Sequence, residues 1–177
     1  MDKKVVLTVC NGNIHRSVIA EICLDRELKK HGLENVVCIS RGLESRLGEK
    51  CNMMHFPDEW AITEPILKEL DIIVSPDRRA VQVDWETIEK ASLILAMDRR
   101  VLRALWDRFP SSSFKMRLFS ELVGKCEDIV DCKGDINPET HRQANLRINE
   151  IVVNGYSFLR ELVDWYSEED KNLSEGI

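Results

Sequence analysis

The chain has 177 residues, 44% of them hydrophobic and 32% charged, a globular composition that excludes a disordered chain and predicts one domain over residues 1–177. Its 25 basic and 31 acidic residues leave a net charge of −6, without the basic excess that a generic nucleic-acid binder needs. No apolar run reaches the roughly 18 residues of a membrane span, and six cysteines with no visible secretory leader predict reduced thiols and a cytoplasmic setting.

The first element is Lys4-Val5-Val6-Leu7-Thr8-Val9, β-branched and continuously apolar, which suits a strand buried on both faces. From Ser17, the apolar residues Ala20, Cys23, Leu24 and Leu28 recur at helical spacing, and Gly32 stands where that helix should stop. Val36-Val37-Cys38-Ile39 predicts a second strand. Residues 40–57 read as irregular. Ile62, Ile66, Leu67 and Leu70 predict a helix with Pro65 near its first turn. Asp84 reads as the N-cap of a short helix ending near Lys90. Ser92-Leu93-Ile94-Leu95-Ala96-Met97 is the clearest buried strand, and Leu102, Leu105, Trp106 and Phe109 follow as an amphipathic helix. Phe114–Phe119 predicts a fourth strand. After a loop over residues 124–138, Ile148, Ile151, Val152, Leu159, Leu162 and Val163 mark a long last helix. Strands alternating with helices predict a three-layer α/β sandwich: a four-stranded parallel sheet flanked by helices.

The chemistry concentrates between the first strand and the first helix, in Cys10-Asn11-Gly12-Asn13-Ile14-His15-Arg16-Ser17. In a doubly wound sheet, ligands bind beyond the strand C-termini. Backbone N–H groups of a Gly-containing loop and the positive end of a helix together favour an anion there, whether a phosphate or a thiolate. An arginine at the first helical turn can reach back over such a loop, and its planar fork matches two phosphate oxygens. Elsewhere, Cys51 and His55 have the spacing of half a metal site, but no second pair follows, so no metal and no cofactor is expected.

These residues resemble a known family. The low-molecular-weight protein tyrosine phosphatases carry Val-Cys-x-Gly-Asn-x-Cys-Arg-Ser-Pro-x-Ala-Glu at this position, and this chain reads Val9-Cys10-Asn11-Gly12-Asn13-Ile14-His15-Arg16-Ser17-Val18-Ile19-Ala20-Glu21. Ser40-Arg41-Gly42 resembles the family's Ser-x-Gly motif. Asp77 to Val83 resembles Asp-His-x-Ala-Arg-Gln-Leu, and Leu93 to Asp98 resembles its Ile-Leu-x-Met-Asp strand. Asp131 falls where the family carries its general-acid Asp-Pro. Two positions depart from the pattern. His15 replaces the second loop cysteine, and Cys132-Lys133-Gly134 replaces the proline and the aromatics after the acid.

The resemblance implies a cysteine-dependent phosphomonoesterase acting through a phosphocysteine, with a phosphorylated protein or small aryl phosphate as substrate. Cys10 would be the nucleophile and Asp131 the acid. Residues Asn11, Gly12, Asn13, Ile14, His15, Arg16 and Ser17 would form the phosphate-binding loop, with Arg16 stabilising transferred charge and Ser17 donating to the Cys10 sulfur. Ile14 is the residue type of the tyrosine-directed members, where phosphoarginine-directed relatives tend to carry Thr. Asp98 would cap a helix and buttress the loop. Two alternatives stay open: a thiol-dependent arsenate reductase of the same fold, or a phosphate- or phosphoprotein-binding module without turnover. For His15, either a charge that assists Cys10 or a neutral ring packed behind the loop fits the sequence. Cys132, next to Asp131, is expected at the cleft mouth as the nearest thiol to an oxidised Cys10; either it bridges Cys10, or the divergence of adjacent side chains forbids the bridge and Cys10 oxidises irreversibly. Phe56 and Trp60 are candidates to wall the cleft.

Overall fold

The β-branched run at the N-terminus forms strand β1, Lys4–Cys10, at the centre of the sheet. The computed structural model describes residues 3–44 and 52–175, with side chains through Tyr166. The sheet has the order β2–β1–β3–β4, with β2 at Val36–Gly42, β3 at Leu93–Ala96 and β4 at Met116–Leu118, all pairs parallel. Its helices are α1 (Arg16–Lys30), α2 (Pro57–Glu69), α3 (Trp85–Lys90), α4 (Arg99–Arg108) and α5 (Pro138–Glu175). This is the α/β sandwich that the element pattern predicts.

The strand period of two explains the layers. On β1 and β3, Val6, Cys10, Leu93 and Leu95 pack on one side with Ile19, Leu24, Leu67, Ile148 and Ile151 of α1, α2 and α5. Their neighbours Leu7, Val9, Ile94 and Ala96 pack on the other side with Ile88, Val101 and Leu105 of α3 and α4. Both faces are covered, so the central strands read as unbroken apolar runs. Gly155 lets α5 approach closely: a Cβ there would lie 2.7 Å from Leu122 Cβ and from its carbonyl oxygen. Among the described residues, no helix is long and apolar enough to cross a membrane. Cys10, Cys23, Cys38, Cys126 and Cys132 stand outside disulfides, and Cys51 lies outside the described residues.

Several boundaries differ from the sequence reading. Strand β2 runs on to Gly42, because its last residues pair with β1 as far as Cys10. Helix α2 begins at Pro57, which suits a first helical position, so Pro65 lies inside the helix and not near its start. A 3₁₀ turn at Met53–His55 precedes it. The fourth strand shortens to three residues between 3₁₀ segments. Asp84 caps α3 as expected, accepting from Thr87 N at 2.8 Å.

The sheet order determines where a ligand meets it. From β1 the chain passes to β2 on one side and later returns to β3 on the other, so the strand order reverses beside the C-terminal end of β1. Cys10 is the last residue of that strand.

Candidate active site

Beyond Cys10, the chain turns through Asn11–His15 into α1, with Arg16 its first helical residue. The turn is held from behind by one polar side chain. Asn13 adopts a left-handed backbone, φ 54°, a conformation that Asn tolerates better than most residues. Its Nδ2 donates to Ser17 Oγ (3.1 Å) and Ser40 Oγ (2.7 Å), and its Oδ1 accepts from Val81 N (2.9 Å). Ser40 is held in turn by Arg78 Nη2 at 2.5 Å, and Arg78 forms a two-pronged pair with Glu21. The Cys10 sulfur receives Asn13 N at 3.2 Å and lies 3.1 Å from Ser17 Oγ. Since Ser17 Oγ already accepts from Asn13, its own hydrogen is free to point at sulfur.

Arg16 is buried, and its guanidinium reaches across the sheet's C-terminal edge. Nη1 donates to Asp98 Oδ2 (2.6 Å) and the Ile129 carbonyl (3.0 Å), and Nη2 to Asp131 Oδ2 (2.8 Å). Burial opposes its charge, but Asp131, Cys10 and Asp98 outweigh that cost and raise the group above its ordinary value. Asp98 does both things foreseen for it: Oδ1 caps α4 by accepting from Val101 N at 2.7 Å, and Oδ2 holds Arg16.

Cys10, Arg16 and Asp131 line one pocket of about 140 Å³, together with Asn11, Gly12, Ile14 and His15 of the loop. Phe56, Glu44, Glu59 and Lys133 complete its walls. Asn13 and Ser17 are not in the lining; they hold the loop from behind. Of the three aspartates around the acid position, Asp128, Asp131 and Asp135, Asp131 is the one that lines the pocket. Asp128 is taken by the backbone and guanidinium of Arg99, which hold its carboxyl below the usual range. Asp135 accepts from Asn137 N at 2.7 Å, a bond that also lowers it.

The outer side of the loop differs. Both ring nitrogens of His15 are buried without a hydrogen-bond partner. Burial, then His141 and Arg16, push His15 down to about 4, so the ring is neutral near pH 7. The buried Asn145 side chain lies against the ring without a hydrogen bond of good geometry, and it and the Asp131 charge work in the opposite, raising direction. Cys132 does not line the pocket with Cys10, contrary to its expected place at the cleft mouth. Its neighbour Asp131 faces the pocket, and adjacent side chains diverge in an extended loop. The Cys132 thiol turns inward, 3.7 Å from the Thr140 carbonyl, and burial pushes it up to about 12. Trp60 lines the small cavity there with Cys132 and His15, while Phe56 alone of the two aromatics walls the pocket. Sequence reading missed Glu59, His141 and Asn145. Their signal was weak: Glu59 on α2, and His141 and Asn145 on α5, look like any other polar residues of those helices.

The family model for low molecular weight phosphotyrosine protein phosphatases matches residues 5–145. Among solved structures, a low molecular weight protein tyrosine phosphatase from T. tengcongensis is 27% identical, with a TM-score of 0.72, covering 86% of this chain and 97% of its own. An arginine phosphatase, YwlE from Geobacillus stearothermophilus, is 24% identical with a TM-score of 0.72 over 91% of this chain and 96% of its own. A protein tyrosine phosphatase from Entamoeba histolytica, solved with Hepes in its active site, is 21% identical with a TM-score of 0.75 over 90% and 98%. No curated protein matches the sequence.

Proposed function

The chain belongs to the low molecular weight phosphotyrosine protein phosphatases, a family of hydrolases, and we propose that Cys10, Arg16 and Asp131 carry its phosphomonoester hydrolysis. The observation that supports this is their convergence on one pocket around a loop whose backbone is locked by Asn13. The Cys10 thiolate attacks phosphorus in line. A sulfur–phosphorus bond forms and the phosphorus–oxygen bond to the leaving group breaks, while Asp131 gives that oxygen its proton. Arg16 and the N–H groups of the loop stabilise the charge on the equatorial oxygens. Water then attacks the phosphocysteine and yields its proton to Asp131. The thiolate leaves, helped by the hydroxyl of Ser17.

The Arg16–Asp131 pair suggests an order of events. A phosphoryl dianion offers the guanidinium two oxygens in the geometry it prefers. Its arrival takes Nη2 from Asp131 and frees that carboxyl for the leaving oxygen. Phe56 and Ile14 give the pocket apolar walls suited to an aryl phosphate, the basis for proposing phosphotyrosine on a protein as the substrate. The cytoplasm is the proposed setting, since the catalytic thiol must remain reduced. The arsenate-reductase reading loses its resolving cysteine, because the Cys132 thiol points away from the pocket. The test compares hydrolysis of a phosphotyrosine peptide and a phosphoarginine peptide by wild type and Cys10→Ser. Faster turnover of phosphotyrosine, absent in the variant, is expected. Preference for phosphoarginine overturns the substrate assignment, and binding without turnover in wild type leaves a phosphate-binding module.

A further inference from the structure

Behind the outer side of the loop lies a second cavity of about 20 Å³, lined by His15, Cys132, His141, Thr63 and Glu59 among others. Its volume fits one water or one small cation. One ligand atom from each of His15, Cys132 and His141 lies within 4.8 Å of the other two. We propose that His15, Cys132 and His141 form a binding site for a borderline divalent cation, with Zn²⁺ the best match, joining three separate segments: the phosphate loop, the Asp131 loop and the start of α5.

Two imidazole nitrogens and a thiolate are the donor set that Zn²⁺ prefers. The His15 ring brings buried nitrogens that make no hydrogen bond of good geometry, with Asn145 the neighbouring side chain that a cation must displace. His141 is already oriented as a ligand. Its Nε2 lies 2.8 Å from the Asp135 carbonyl, which can only accept, so Nε2 carries the proton and the lone pair is on Nδ1. A backbone carbonyl on the far nitrogen is the usual support of a metal-bound histidine. The site's electrostatics are mixed. Arg16 and Asp131 each act on both His15 and Cys132, and Asp135 and Glu59 add their charges at Cys132, so the carboxylates outnumber the cation.

Binding carries two local costs. Thr63 Oγ1 hydrogen-bonds His141 Nδ1 and must release it. Tetrahedral zinc, with bonds of about 2.0–2.3 Å, holds its ligands roughly 3.3–3.8 Å apart, so the side chains must close by about an ångström. Coordination turns the Cys132 thiol into thiolate and releases one proton to solvent.

The test uses the full chain carrying Cys10→Ser, which removes the pocket's own thiol as a competing ligand. Stripped with EDTA and desalted, it is titrated with Co²⁺, then with Zn²⁺. The expected result is a thiolate-to-cobalt charge-transfer band saturating at one ion per chain, displaced by Zn²⁺, with Zn²⁺ also raising the melting temperature. Adding Cys132→Ser should abolish the band and the thermal shift. Adding His141→Asn should weaken Zn²⁺ by about 10- to 100-fold, measured against a chromophoric chelator. Melting of each variant in EDTA shows that it folds; if Cys132→Ser does not, the His141→Asn affinity decides. No band in the parent, a band that survives Cys132→Ser, or an affinity indifferent to His141→Asn overturns the proposal. None of these readouts depends on phosphatase turnover.

Discussion

The two sides of the phosphate loop are built on opposite terms. On the inner side, Asn13, Ser17, Ser40, Arg78 and Glu21 form a closed chain in which each side chain has a partner. On the outer side, one turn away, four buried polar atoms of His15 and Asn145 make no hydrogen bond of good geometry and face each other. Unpaired buried polar groups destabilise a fold, typically by 1–3 kcal/mol each. The inner side therefore positions Cys10 through a connected network in which Arg78 Nε is the one atom left without a partner, and the outer side keeps polar groups poised beside a small cavity. The same five-residue turn serves both, because neighbouring side chains in it point to different sides.

The largest expected effect comes from removing what the inner side positions. Cys10→Ser should lower turnover by on the order of 10⁴- to 10⁶-fold, the scale seen when a nucleophile is lost. The backbone cradle remains, so orthovanadate should still bind, measurable by calorimetry. Substantial residual activity would show that the closed network does not serve Cys10.

Next comes the acid. Asp131→Asn should slow hydrolysis of a phenyl phosphate by about 10²- to 10⁴-fold, and of an activated nitrophenyl phosphate by less, since a good leaving group needs less protonation. Because Asp131 holds Arg16 Nη2, the same variant should bind inorganic phosphate more tightly. Equal rate losses with unchanged phosphate inhibition would assign Asp131 a structural part only.

A smaller effect tests the closure of the inner side. Asn13→Ala removes three hydrogen bonds and forces a left-handed backbone on alanine, together costing about 3 kcal/mol in urea unfolding. Asn13→Gly loses the bonds but relaxes the backbone, so it should be milder by about 1 kcal/mol. Matching losses in the two would place the whole cost in the hydrogen bonds.

Much of this arrangement is legible in the sequence, and the illegible parts share a cause. The apolar strands, the caps at Asp84 and Asp98 and the Cys10–Ser17 loop are local patterns, readable from residues a few positions apart. Ser40, Arg78 and Glu21 stand in recognisable motifs, yet their roles arise only when β2 and the segment before α3 meet the loop. His141 and Asn145 look like ordinary polar residues of a helix. What brings them against His15 is the packing of α5 on α1 and α2. Pro65 was misread because helix α2 starts eight residues earlier, at a proline better suited to the role. Cys132 was misread because sequence adjacency to Asp131 says nothing about which way its side chain turns.

The smallest expected effect tests the outer side, through pH. Burial, then His141 and Arg16, hold the His15 ring at about 4 against an ordinary 6.5, with Asp131 and Asn145 opposing them only in part. In the unfolded chain His15 takes up a proton as pH falls below about 6.5, whereas in the folded chain it resists until about 4. Between those values the unfolded state binds more protons, so acid destabilises the fold. At about 1.4 kcal/mol per unit, the loss attributable to this ring approaches 3 kcal/mol near pH 4 and is close to nil at pH 7. His15→Asn removes the titrating group and keeps a polar side chain at the start of α1. Urea unfolding in EDTA at pH 7.0 and 4.5 should show the wild type losing about 2–3 kcal/mol more between the two pH values than the variant does. The difference of differences is the readout, since any constant effect of the asparagine cancels from it. Parallel losses would mean that the His15 ring takes up its proton in the folded state as freely as in the unfolded one, and the contrast between the two sides of the loop would not extend to charge.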